Sequence, residues 1–246
     1  MEWLVVVTFV VTLLAGTLSG MGGGGGGFIT MPYLLFIGLS PASALATSKM
    51  TGIGTSVGGI AVFKGKGLVR KKLVLPFMCI TLICALISSW LIPKIDPTFF
   101  ENLIAIALIV LTPTLFIKKA SLMPGPRTKP WIVVGFVAYT IFSFLQTLVG
   151  TGMGSILVLI LMFLFGLSAL ESNATKRVAQ SVQAVVLFVL LAIQGLVVWT
   201  HGAAGLAGAL IGTHIGTHIA IRKGEGFVRI MLAVIMLSSG VALLVS

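Results

Sequence analysis

Gly20-Met21-Gly22-Gly23-Gly24-Gly25-Gly26-Gly27 recurs in thinner form as Gly150-Thr151-Gly152-Met153-Gly154-Ser155, and the offset between the two is 128 positions with no gap. The same register lays Gly38-Leu39-Ser40 on Gly166-Leu167-Ser168 and Ala46-Thr47 on Ala174-Thr175. It also lays Lys49 on Arg177, and Gly67-Leu68-Val69 on Gly195-Leu196-Val197. Single matches between apolar chains mean little, but separated clusters in one register indicate a chain written twice. A duplicated apolar chain with glycine breaks at matching places points to a secondary transporter whose site lies between its halves.

Composition sets the solvent. Hydrophobic residues make up 58% of the 246 residues and charged residues only 9%, too few to cover a water-soluble domain of this size. The formal net charge of +11 is carried by short loops between apolar runs, which is the pattern of orientation in a bilayer; nucleic acid is not an expected partner. The opening Met1-Glu2-Trp3 has no basic leader region, so residues 3–19 are expected to be a retained span. Cys79 and Cys84 share one apolar run and read as packing residues.

Apolar segments fall at about 3–20, 28–38, 47–63, 73–92 and 101–118, then at about 131–149, 153–166, 178–199, 203–221 and 227–245. Most approach the roughly 20 residues that span hydrocarbon as a helix. The second segment of each half is shorter, follows a glycine-rich break and ends at Gly-Leu-Ser, as a half-helix or re-entrant piece would. The expected architecture is therefore all-α: a polytopic membrane protein of two inverted five-segment repeats with short or discontinuous second segments. The first repeat is 1–122 and the second 131–246. Between them runs a basic linker, 123–130, containing Met123-Pro124-Gly125-Pro126.

Basic residues give the orientation. If the short segments cross, an odd number of spans per half turns the second half upside down. Lys64, Lys66, Arg70, Lys71, Lys72, Lys118, Lys119, Arg127 and Lys129 then fall inside, with Lys176, Arg177, Arg222, Lys223 and Arg229. Only Lys49 and Lys94 stay outside. This predicts ten crossings with both termini outside, and places Lys49 and Arg177 on opposite faces.

The glycine run carries the strongest local signal. Without Cβ atoms, Gly23, Gly24, Gly25 and Gly26 let backbone amides approach a ligand or a helix. A helix starting just after them would turn free N–H groups and its positive dipole end toward a cavity, forming an anion site. Close packing of helices is the competing reading. In the second copy Gly150 and Gly152 are spaced as packing residues are, while Thr151 and Ser155 add hydroxyls.

Thr47, Ser48, Asn173 and Thr175 read either as helix N-caps or as hydroxyl and amide donors to the cavity. Lys49 and Arg177 read as attractors of an anion or as interfacial side chains that snorkel. Gln180 and Gln183 share a helix face near Arg177, and Gln194 reads as a structural amide. His201 is expected in an outer turn. His214 and His218 share one helix face, which makes them candidates for proton coupling or for plain interfacial exposure.

Absences narrow the class. The five acidic residues, Glu2, Asp96, Glu101, Glu171 and Glu225, lie near segment ends, which disfavours a cation carrier built on a buried acid. No phosphate-binding loop, zinc-protease signature or nucleophile elbow occurs, so neither ATP drive nor an enzyme is expected, and no metal or cofactor is called for.

The glycine run leading to Met31-Pro32-Tyr33-Leu34, followed by Ala44-Leu45-Ala46-Thr47-Ser48, resembles the TauE/SafE sulfite exporter family, and the second half resembles that family's second copy. The resemblance covers essentially the whole chain. It implies a multi-pass carrier in a prokaryotic cell membrane for sulfite, a sulfonate or a similar small anion, and the repeat with its glycine breaks adds the expectation of alternating access. Its partners would be that anion, the lipid bilayer and a coupling ion, proton or sodium; a homodimer is compatible with it. An anion channel and a non-transporting membrane scaffold or enzyme subunit are the alternatives.

Overall fold

The computed structural model describes residues 2–24, 26–94, 129–149 and 154–245. Among these residues every regular element is helical: α1 (Glu2–Gly22), α2 (Gly27–Phe36), α3 (Pro41–Phe63), α4 (Lys71–Leu91) with a 3-10 turn at Ile92–Lys94, α5 (Lys129–Val149), α6 (Gly154–Phe165), α7 (Ala169–Ile193) and α8 (Trp199–Val245). α8 is broken at Gly224, whose φ of 78° and ψ of −173° leave the helical region. The predicted fifth segment, 101–118, and most of the linker lie outside the described residues.

Among the described residues five stretches are long and apolar enough to cross a bilayer: α1, α4 with its 3-10 turn, α5, α7 and α8 up to Gly224. The protein is thus an all-helical, polytopic membrane protein. The two short helices have 10 and 12 residues. At 1.5 Å per residue they rise about 15 and 18 Å, roughly half of the hydrocarbon core. Neither reaches across by itself, so ten full helical crossings are not what these lengths provide.

Glycines in the left-handed region recur 128 positions apart. Gly38 (φ 91°) ends α2 and Gly166 (φ 72°) follows α6; Gly67 (φ 68°) and Gly195 (φ 73°) follow α3 and α7. After α2, Gly38 N–H donates to Leu35 O and Leu39 N–H to Leu34 O; after α7, Gly195 N–H donates to Ala192 O and Leu196 N–H to Leu191 O. Both are the Schellman arrangement, which gives the last carbonyls of a helix their partners.

The next helices open on serines. Ser40 Oγ accepts from Ser43 N–H, with Pro41 in the first turn. Ser168 Oγ accepts from Glu171 N–H while Glu171 Oε2 accepts from Ser168 N–H, a capping box. These caps correct the expected boundaries. The segments expected from about 47 and about 178 put Lys49 at the outer end of one span and Lys176 and Arg177 just ahead of the other, on the inner side; the helices instead open at Pro41 and Ala169, so all three lie well inside α3 and α7 and are buried. Stopping an apolar segment at its first charge misplaces a helix whose polar opening turns are sheltered by neighbours.

Small residues set the packing. α8 lies along α1 and α3. A Cβ on Gly16 would stand 2.8 Å from Ala209 O, and one on Gly20 would stand 2.7 Å from Thr217 N. Gly208, Gly212 and Gly216 return the contact against the backbone of Phe9, Leu13 and Thr17, while Gly54 and Gly58 meet Leu206 and Leu210. Thr213 Oγ1 donates to Gly16 O at 3.1 Å. Glycines four apart bring helices into van der Waals contact where lipid supplies no hydrophobic drive. On the other flank, Phe77, Phe136, Tyr139 and Phe165 join α4, α5 and α6, with Phe77 stacked on Tyr139 at 4.1 Å.

Candidate functional site

Between these two flanks the glycine breaks meet. Gly23 takes φ 74° just after α1, a conformation nearly free of cost for glycine alone. Gly24 then lies against the start of α6: a Cβ there would come within 2.5 Å of Ser155 N and 2.7 Å of Gly154 C. Gly26 packs on Ala15 in the same way. The N-termini of α2 and α6 therefore border one space, a cavity of about 130 Å³. Since a water molecule occupies about 30 Å³ in the liquid, the cavity has room for several.

Among the described residues three basic side chains line it, and they are used differently. Lys176 Nζ donates to Gly23 O and to Gly154 O, the latter at 3.0 Å, so one ammonium ties both breaks together. Arg177 Nε donates to Asn173 Oδ1 at 3.0 Å, and its terminal nitrogens reach Thr55 O at 2.9 Å and Ser19 O at 2.5 Å. This guanidinium fastens α1, α3 and α7 and lies over Gly59, where a Cβ would come within 2.7 Å of Arg177 Cδ. Lys49 is the third. It is 8% exposed and lines the cavity, yet its ammonium has no hydrogen-bond or ion-pair partner among the described residues.

The remaining wall is uncharged, with polar side chains set beside Ala15, Ala184 and Ala209. Ser48, Thr30 and Thr55 donate to carbonyls of their own helices at 2.7–3.0 Å, which leaves oxygen lone pairs rather than protons toward the cavity. Thr51 and Ser56 also line it. Gln180 Nε2 donates to Gln146 Oε1 at 2.6 Å, and Gln183 Nε2 donates to Thr147 Oγ1. No carboxylate lines the cavity among the described residues, and no cluster of metal-ligating side chains occurs among them. Cations, amide dipoles and two helix N-termini together make the space electropositive.

Of the residues singled out in the sequence, Gly23, Gly24, Gly26, Ser48, Lys49, Arg177, Gln180 and Gln183 line this cavity. Gly25, Gly150, Thr151 and Gly152 lie outside the described residues. Thr47 and Thr175 do not line it and do not cap their own helices. Thr47 Oγ1 accepts from Val198 N–H at 3.1 Å, ahead of α8; Thr175 Oγ1 accepts from Arg70 N–H at 3.0 Å, ahead of α4. Asn173 orients Arg177. Gln194 donates to Ser89 O and Leu190 O, a structural amide.

His214 and His218 have ring centroids 4.9 Å apart but sit on the exposed face of α8, away from the cavity, because the small face of that helix is taken up by α1. His201 lies in the first turn of α8 and shares a hydrogen bond with Thr8 at 2.8 Å.

Sequence reasoning missed Lys176 as a tie between the breaks and overlooked Gln146, Thr51 and Ser56. The capping box Ser168-Ala169-Leu170-Glu171 is the signal that places Lys176 two turns into a helix.

Comparison with known proteins agrees with a transport role. The chain is 24% identical over 232 residues to a "Probable membrane transporter protein" of Haemophilus influenzae, covering 94% of this chain and 91% of that one. It is 24% identical to "Probable membrane transporter protein YfcA" of Escherichia coli K12, covering 93% and 85%. It is also 24% identical to "Probable membrane transporter protein ORF9" of Sinorhizobium sp, covering 98% and 92%. No solved structure matches. The family described as "Sulfite exporter TauE/SafE" matches residues 8–243. The chain is a multi-pass membrane protein of a transporter family, not an enzyme, and it belongs to the sulfite exporter TauE/SafE family.

Proposed function

We propose that this protein is a secondary transporter of a small sulfur-containing oxyanion, bound in the cavity at Lys49 and exposed alternately to the two sides of a prokaryotic cell membrane. The observation that carries the reading is Lys49 itself. An ammonium taken out of water costs several kcal/mol, even after relaxation, unless an opposite charge or full hydrogen bonding meets it. Lys176 and Arg177 have their carbonyls; Lys49 lines the cavity with no partner among the described residues, and an oxyanion supplies the opposite charge that cavity water cannot. Sulfite is the family's named cargo and fits this chemistry.

Support for alternating access comes from the doubled chain. Thr47 holds the backbone ahead of α8 and Thr175 holds the backbone ahead of α4. The partners are themselves 128 positions apart, as the threonines are. Such reciprocal contacts are what two repeats related by a pseudo-two-fold axis make. Two halves of similar build that can exchange conformations are the usual basis of a carrier.

Counterflow tests this reading. Proteoliposomes loaded with unlabelled sulfite should accumulate external labelled sulfite transiently, and external sulfite should saturate the rate. Linear, non-saturating flux without counterflow would indicate a channel, and no flux together with no binding would remove the transport of this anion altogether.

A further inference from the structure

The same cavity discriminates among anions, and this inference rests on the reading just given. We infer that the site takes singly headed anions with a neutral polar tail and rejects those that carry an ammonium group. The charge inventory leads to this. Lys49, Lys176 and Arg177 border the space, and no carboxylate among the described residues does. The one acidic side chain near the start of α7, Glu171, is turned to Arg70 and to Ser168 N–H. A zwitterion would place its cationic end among three cations with no counter-charge.

A neutral tail meets a different wall. Gln146 and Gln180 are hydrogen-bonded to each other at 2.6 Å through one amide nitrogen and one amide oxygen. That pairing consumes one donor and one acceptor. Whichever way the two amides are turned, the pair still offers N–H donors and a carbonyl acceptor to the cavity. Gln183 adds a second carbonyl oxygen one turn further along α7, because its nitrogen is engaged by Thr147. A hydroxyl finds both a donor and an acceptor there. An ammonium finds acceptors but no charge to neutralise it.

Three two-carbon sulfonates of nearly equal size separate these cases: ethanesulfonate, 2-hydroxyethanesulfonate and 2-aminoethanesulfonate, with sulfite as the reference. Binding is measured by calorimetry on the purified full-length protein at neutral pH, where the amine is protonated. The hydroxyl compound should bind at least about tenfold more tightly than the amino compound, since like charges brought together oppose binding. The amino compound should also bind more weakly than unsubstituted ethanesulfonate. In Gln180→Leu the advantage of the hydroxyl compound over ethanesulfonate should disappear.

If sulfite binds and the amino compound binds as tightly as the hydroxyl one, this inference is overturned while the anion site stands. If neither sulfite nor any sulfonate binds, the anion site itself is wrong and the inference goes with it. The wild-type series decides the matter even if Gln180→Leu does not fold.

Discussion

Thr175 Oγ1 accepts the backbone N–H of Arg70 at 3.0 Å, and at the matching place in the other half Thr47 Oγ1 accepts that of Val198 at 3.1 Å. Both threonines are fully buried. Each hydroxyl satisfies an amide that the following helix leaves without an internal partner. Thr175 on α7 thus holds the start of α4, and Thr47 on α3 holds the start of α8.

Thr47→Val and Thr175→Val should therefore act on stability and not on the ligand. Each removes one net hydrogen bond and leaves a buried amide unpaired, a loss of about 1–3 kcal/mol. For a chain of this size that corresponds to a melting temperature lower by about 3–10 °C. Sulfite affinity of the folded protein should stay within about twofold of wild type, a change worth less than the ~1.4 kcal/mol of a tenfold step. Thermal melts and calorimetry on the same samples check both, and a selective loss of affinity would return the threonines to the site.

The reciprocal contacts differ in charge. Arg70 also forms an ion pair with Glu171 at 2.5 Å, at side-chain exposures of 55% and 19%, whereas Val198 and Ser43 occupy the matching positions. An exposed pair of this kind contributes about 0–1 kcal/mol. Glu171→Gln keeps an acceptor for Ser168 N–H and should be close to neutral. Glu171→Ala also removes the capping box and should cost about 1 kcal/mol. Equal losses in the two variants would show the ion pair to be the larger contribution.

Lys176→Met withdraws the ammonium from Gly23 O and Gly154 O. Two buried carbonyls lose their charged donor, at about 1–3 kcal/mol each, and the two breaks lose their tie. The expected outcome is a lower melting temperature together with lost sulfite flux in liposomes. Unchanged flux would remove Lys176 from the account.

Gly24→Ala brings a methyl within 2.5 Å of Ser155 N, a backbone atom. The start of α6 has to move, which costs about 1–3 kcal/mol as overpacking does. Both stability and flux should fall. A variant with wild-type melting and flux would mean that the two breaks are not pressed together in the working protein.

His214→Gln with His218→Gln should leave flux and its dependence on pH as they are, because both rings lie on the exposed face of α8 and away from the cavity. A flattened pH profile in the double variant would restore a role in proton coupling.

Much of this architecture is legible in the residues. Long apolar runs mark α1, α4, α5 and α7, and the shared Gly-Leu-Ser marks where each short helix ends, because Gly38 and Gly166 adopt positive φ. The run Gly22–Gly27 pointed to a cavity, and Gly23, Gly24 and Gly26 do line one. What the residues could not reveal depends on partners distant in sequence. Lys49 and Arg177 occupy matching positions with the same formal charge, yet only the folded chain shows that Asn173, Thr55 and Ser19 engage one and nothing among the described residues engages the other. A threonine within a helix does not announce that it will bond the start of another helix, as Thr47 and Thr175 do. The histidine pair shows the same limit, since spacing places His214 and His218 on one face without saying which face α1 covers.

The central claim is that Lys49 is the group that meets the anion, and titration of sulfite into Lys49→Gln tests it most directly. Glutamine keeps the size and a polar end but removes the charge, so sulfite affinity should fall by at least about tenfold. Lys49→Arg should retain a substantial part of it, and the melting temperature of Lys49→Gln should hold or rise once the buried charge is gone. Wild-type sulfite affinity in a folded Lys49→Gln protein would contradict the account.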